Sequence, residues 1–184
     1  ESLFSTGNTF WTRAYLFEPN TGVYTLLPFT CSGQQVTRVG AALSGNGLLA
    51  AGHYPQPAVF DNGALTPLPP PPVSPQGDVT NFLSRAFSSD GRVLAGSTYW
   101  MGPNLTNETA AFIYDAVTQT YQFLGTLKNN QNTPFPRSEA VDASSDGQAV
   151  VGNSATSSSA KQPFVWTAQT GMFRLPGTEG AGWP

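Results

Sequence analysis

Apolar residues in this chain come in short runs, broken by small polar clusters, and almost never at helical spacing. One segment reads ALSGNGLLAAG over 42–52, AFSSDGRVLAG over 86–96 and DASSDGQAVVG over 142–152. Each copy is a short apolar strand, a polar turn and a second apolar strand ending on glycine. The turn pairs Asn46-Gly47, Asp90-Gly91 and Asp146-Gly147 predict tight hairpins of the type I′ class, in which both central residues take positive φ.

A second segment alternates with the first. It reads AYLFEPNTGVYTLL over 14–27, AVFDNGALTPL over 58–68, AFIYDAVTQTYQFL over 111–124 and PFVWTAQTGMFRL over 163–175. Each is again a hairpin, with an aromatic-ended strand, a polar turn and a strand closing on leucine. The two types together give four strands in a period of about 45 to 55 residues, the length of a propeller blade. The expected fold is therefore all-β: a β-propeller-like array of four-stranded antiparallel blades. A single repeat domain, 1–184, divides into blades near 1–35, 36–79, 80–135 and 136–184.

The chain carries nearly four blades and is cut in phase with the repeat at both ends. Residues 1–7 read as the second strand of a hairpin whose first strand is missing, with Gly7 in the place of Gly52, Gly96 and Gly152. Residues 177–180 begin a linker to another repeat. The opening Glu1-Ser2-Leu3-Phe4 lacks an initiator Met and a basic leader, so a longer or processed precursor is expected. Such an array would close as four blades, belong to a larger one, or be completed by another chain. Self-association through the terminal strands Ser2–Thr6 and Met172–Leu175 follows from the last case. Pro69–Pro72 predicts a stiff polyproline spacer between blades.

Composition narrows the function. Charged residues make up 10% of the chain, against roughly 25% in ordinary soluble domains. The surface must be dressed with Ser, Thr, Asn and Gln, as in many extracellular β proteins. The eight basic residues are scattered and the net charge is −3, which leaves no footprint for nucleic acid. No apolar run approaches the roughly 20 residues of a membrane span. Cys31 stands alone, so it reads as a small buried hydrophobe or as one half of an intermolecular bridge.

With both hairpins in view, the chain resembles the extracellular HAF-type repeat of bacterial secreted proteins. The likeness is clearest in Ser144–Gly152 followed by Pro163–Leu175, and weakest in the second copy, which has Gly45-Asn46 for Ser-Asp. The resemblance implies export, a propeller-like fold and, in some relatives, a place in autotransporter-type surface proteins. It implies no catalytic residues.

Candidate chemistry is sparse. His53 is the sole histidine, and no Gly-x-Ser-x-Gly elbow accompanies it. Asp90 and Asp146 belong to the first-type turns, and Glu18, Asp61 and Asp115 to the second type. That leaves Asp78, Glu108, Glu139, Asp142 and Glu179 for a glycosidase pair. Nothing suggests a zinc site, and no cofactor is implied. Calcium could still be held by the backbone carbonyls of a propeller channel.

One constellation stands out. Aromatic residues follow the repeat glycines, as Phe10-Trp11, His53-Tyr54 and Tyr99-Trp100, in what read as loops; the last repeat has Asn153, Ser154 and Ser157 instead. Trp11, His53, Tyr54, Tyr99 and Trp100 form the candidate ligand-binding set, a rim suited to stacking on sugar rings. Packing between blades is the plainer use of the same rings. The sequons at Asn104 and Asn107 mark an exposed loop. The sequence points to an extracellular, non-catalytic module presenting a surface to a glycan or cell-surface partner. The alternatives are a structural subunit of an extracellular polymer and, more remotely, a glycan-active enzyme.

Overall fold

A computed structural model describes residues 2–6, 9–13, 15–26, 41–45, 49–51, 57–61, 64–72, 79–101, 107–127, 137–157 and 160–176. Every regular element among them is a strand. The first repeat supplies β1 (Ser2–Thr6), β2 (Thr9–Arg13), β3 (Tyr15–Glu18) and β4 (Val23–Leu26). The second supplies β5 (Ala41–Leu43), β6 (Leu49–Ala51), β7 (Ala58–Asp61) and β8 (Ala64–Pro67). The third holds β9 (Val79–Phe87), β10 (Val93–Met101), β11 (Asn107–Asp115) and β12 (Thr120–Phe123). The fourth holds β13 (Ser138–Ala143), β14 (Ala149–Ser157), β15 (Ala160–Thr167) and β16 (Gly171–Arg174).

Blades two, three and four are each a four-stranded antiparallel meander in sequence order. Blade one is two separate hairpins, β1–β2 and β3–β4, with Ala14 between β2 and β3. Its register corrects one expectation. Ser2 pairs with Arg13 and Tyr15 with Leu26, as Thr98 pairs with Ala110 and Phe112 with Phe123. Ser2 thus takes the place of Thr98, so β1 matches the far end of β10 and not the run leading to Gly96. Gly7 itself lies outside the described residues.

Blades stack face to face; β9 lies beside both β5 and β13, and β13 also lies against β10 and β11. Two cores result. Between blades two and three, Ala42 and Leu68 meet Phe82, Leu94, Phe112 and Tyr114, with Val59 packed against them. Between blades three and four, Ala95, Ala111, Leu124 and Leu127 meet Val150, Phe164 and Trp166, with Ile113 packed alongside. The alternation of strand side chains explains both: each blade offers small and β-branched residues from one face and aromatic ones from the other.

Close approach is set by the repeat glycine. Gly96 lies opposite Phe112 across the β10–β11 ladder and Gly152 opposite Phe164 across β14–β15. A Cβ at Gly152 would strike the Glu139 carbonyl oxygen and come 2.7 Å from the Phe164 ring. The first strand bulges at this level in both blades, skipping Arg85 in one and Val141 in the other. The Ala140 N–H beside the bulge donates to Ser97 Oγ of the neighbouring blade at 3.0 Å. Ser138 Oγ accepts from Ala111 N–H (3.0 Å) and donates to the Gly125 carbonyl (2.7 Å), while Ser154 Oγ accepts from Leu127 N–H. These buried serines satisfy backbone groups that sheet pairing leaves over.

The spacer expected at Pro69–Pro72 leads from β8 toward blade three. Its Pro69 carbonyl accepts the Tyr121 hydroxyl at 2.9 Å, and Pro71 is buried while Pro70 and Pro72 are exposed.

Two substitutions probe this stacking. Gly152→Ala should destabilise the chain by at least about 3 kcal/mol, because the clash includes backbone. Ser138→Ala should cost about 1–2 kcal/mol, since it strands the buried Ala111 N–H and removes a partner from the Gly125 carbonyl. Urea unfolding followed by tryptophan fluorescence measures both.

Candidate functional site

Each blade has two ends, and the sequence builds them differently. One end carries the first-type turns. Ser88 N–H donates to the Val93 carbonyl and Gly91 N–H to the Ser88 carbonyl; Ser144, Ala149 and Gly147 repeat both bonds. Only the glycines take positive φ, 73° at Gly91 and 69° at Gly147. The turns are therefore not type I′, the class expected from Asp-Gly. Serine first and glycine fourth is instead the type I pattern.

The aspartates serve another purpose. Ser88 Oγ donates to Asp90 Oδ1 at 2.6 Å and accepts Val93 N–H at 2.9 Å, while Arg92 N–H donates to the same carboxylate oxygen at 3.0 Å. Ser144, Asp146, Ala149 and Gln148 reproduce the network with the same distances. The serine hydroxyl, then the backbone N–H, hold each carboxyl below its ordinary pKa. Asn46 and Gly47 lie outside the described residues.

Adjacent turns touch. Ser89 N–H of blade three donates to the Ser145 carbonyl of blade four at 2.7 Å. Beside this contact runs a cleft of about 180 Å³ between the two blades. Asp90, Arg92, Asp115 and Gln122 line it from one side, Asp146 and Gln148 from the other, with buried Trp166 at its base. Asp115 Oδ1 accepts the Val117 and Thr118 N–H groups, and its Oδ2 takes Arg92 Nε and Nη2 at 3.1 and 2.9 Å. Thr118 N–H first, then Arg92, lower its pKa as well.

All three cleft carboxyls are thus stabilised as anions. A general acid requires the opposite shift, so this cleft suits polar or cationic groups and offers no acid–base pair. The sequence suggested turn roles for Glu18 and Asp115. The structure agrees: Glu18 accepts the Thr21 hydroxyl at 2.9 Å. Glu139, left over as a candidate acid, pairs with Lys161 at 3.0 Å. Asp142 is exposed and accepts Ala143 N–H. Among the described residues no group of three His, Cys, Asp or Glu is placed to hold a metal ion.

The other end carries the candidate aromatic residues. Tyr99 and Trp100 belong to β10, where Tyr99 pairs with Thr109 and Trp100 with Glu108; they are strand residues, not loop residues as expected. Trp11 lies in β2 opposite Phe4. Each stands near the hairpin joining the second and third strands of its blade, the end away from the Asp-Gly turns. Tyr99 is half-buried. His53 and Tyr54, between β6 and β7 in sequence, lie outside the described residues. The cleft that joins Arg92 and Asp115 to Asp146 went unseen in sequence. Its only trace was that the Ser-x-Asp-Gly turn recurs, so that successive turns must meet if blades stack in register.

Neither family models nor curated protein sequences match the chain. Among solved structures it is similar to TolB from Acinetobacter baumannii, at 12% identity and a TM-score of 0.55, covering 90% of this chain and 40% of that one. The fold is β-propeller-like. A putative TolB from Agrobacterium tumefaciens is also similar, at 11% identity, a TM-score of 0.41, and 89% and 69% coverage. The chain spans 40% of the length of the Acinetobacter protein. No helix among the described residues is long and apolar enough to cross a membrane.

The turn carboxylates set a pH dependence. Their folded pKa values lie below the unfolded value of about 4, so their stabilising contribution is present above that pH and is lost as pH falls toward the folded values. The urea midpoint should therefore drop on acidification below about pH 4. An Asp90→Asn/Asp146→Asn double variant should show a smaller drop between pH 7 and pH 3, measured by the same unfolding titration.

Proposed function

We propose that this protein is an extracellular or cell-surface binding module that engages a glycan, or another surface partner, through the blade ends bearing Trp11, Tyr99 and Trp100. The observation that carries this reading is the contrast between the two ends. The Asp-Gly end repeats the same turn and the same hydrogen bonds from blade three to blade four. At the other end, the stretches of sequence between second and third strands differ in length and residues from repeat to repeat. Variation on a rigid scaffold is where binding residues concentrate.

The chemistry fits. Flat aromatic rings offer area to the apolar faces of sugars, and the Ser, Thr and Asn residues around them offer partners to hydroxyls. The low content of charged residues and the resemblance to exported bacterial repeats support a place outside the cell. The carboxylates at the Asp-Gly end are committed to turns and ion pairs, which favours binding over hydrolysis.

A glycan array probed with the labelled chain tests the reading. Trp100→Ala and Trp11→Ala should each weaken a captured glycan about tenfold or more, the loss of one stacked ring at a binding hot spot. Asp146→Asn, at the opposite end, should leave binding unchanged. An array without hits, or hits indifferent to both tryptophans, would sink the proposal.

A further inference from the structure

Each blade contact in this protein is made from two unlike faces. The face offered to the following blade has a β-branched residue at its centre: Val59 in blade two, Ile113 in blade three. Both pack against the aromatic face of the next blade. That aromatic face is Phe112, Tyr114 and Tyr121 in blade three, and Phe164, Trp166 and Met172 in blade four.

Among the described residues, an example of each face stands open. On blade four the row Val151–Val165–Phe173 runs across β14, β15 and β16, at the positions of Ala95, Ile113 and Gln122 in blade three. In blade three Ala95 is buried, Ile113 is half-buried against blade four, and Gln122 stays exposed at the rim. In blade four Val151 and Phe173 are 39% and 42% exposed. Beside it, Asp146, Gln148, Ala149 and Thr167 line an open hollow of about 340 Å³. These residues match Asp90, Arg92, Val93 and Asp115, the blade-three half of the cleft between blades three and four. The free side of blade four is thus a second copy of an interface half that is already used once.

The complementary half is free in the first repeat. The β3–β4 hairpin sets Tyr15, Phe17, Tyr24 and Leu26 on one face; the first three stand where Phe164, Trp166 and Met172 stand. Their rings cluster, with Phe17 and Tyr24 centroids 4.6 Å apart and Tyr15 and Tyr24 5.4 Å apart. All four are exposed, Tyr24 by 65%.

We infer that the Val151–Val165–Phe173 face of blade four receives the Tyr15–Phe17–Tyr24 face of a second copy of this chain, continuing the blade-to-blade stack from one molecule into the next. A second copy is the fitting occupant because its Tyr15–Phe17–Tyr24 face repeats the blade-four side of a contact this chain already makes between blades three and four. Among the described residues, the β3–β4 hairpin of the same chain makes no appreciable contact with β15 or β16. The contact is head to tail, so it generates a closed ring or an open fibre according to the rotation between copies. It joins sheet faces, unlike the edge pairing of Ser2–Thr6 and Met172–Leu175 expected from sequence.

Light scattering on the 184-residue chain and two surface variants tests the inference. At about 0.1 mM, well above the dissociation constant of a standard interface, the chain should run as multiples of 19.5 kDa. Phe173→Asp and Tyr24→Asp, each removing one half, should both run at 19.5 kDa, with circular dichroism unchanged. An equimolar mixture retains one good face of each kind and should give a species of twice that mass and nothing larger. A monomeric wild-type chain would overturn the inference. So would variants that still assemble, or folded variants whose mixture stays monomeric.

Discussion

A β-sheet can stack on another only as closely as its tallest side chains allow, and in this protein that limit is set by the missing side chains of Gly96 and Gly152. With no Cβ there, the ring of Phe112 or Phe164 lies down on its own second strand and stays inside the blade. The first strand bulges at the same level, which turns Arg85 and Val141 outward and frees a backbone N–H. That N–H would be an orphan in an isolated sheet. In the stack, Ser97 of the preceding blade answers it for Ala140. Packing and hydrogen bonding are thus solved together, and only when two blades meet.

This dependence explains which parts of the fold were legible in the sequence. The hairpins and their four-strand period could be read because each is local: an alternating run, a Ser-x-Asp-Gly turn, another run. The turn class was misread. Asp-Gly suggested positive φ at both residues, yet the Ser88 and Ser144 hydroxyls recruit the aspartates as acceptors and leave only the glycines in the left-handed region. Tyr99 and Trp100 were misread as loop because Gly96 looked like a strand end. The run after it, Ser97-Thr98-Tyr99-Trp100-Met101, is rich in β formers and continues β10 to its full length. The opening strand Ser2–Thr6 was matched to the wrong part of the repeat because one isolated strand carries no register until its partner is known. The cleft near Asp115 and Asp146 was illegible for a related reason, since its walls come from different repeats.

The two ends of the blades divide the labour. At the Asp-Gly end the same atoms recur at the same distances, and neighbouring turns bond backbone to backbone. At the far end the strands run on to unequal lengths, and their side chains differ from repeat to repeat. A rigid, repeated base with a varied rim is how a propeller separates the residues that hold its shape from those free to meet a partner. Low charge suits both tasks: it permits close approach of like surfaces, because repulsion between them is weak.

The hydrogen bond from Ser89 N–H to the Ser145 carbonyl uses no side-chain atoms at all. Side-chain drift can therefore erode the likeness between repeats without cutting this tie. A gene segment encoding one whole blade could be copied or lost, and the flanking blades would still find matching backbone to join. The size of the array is then open to change over generations by steps of one repeat, while the manner of joining stays the same.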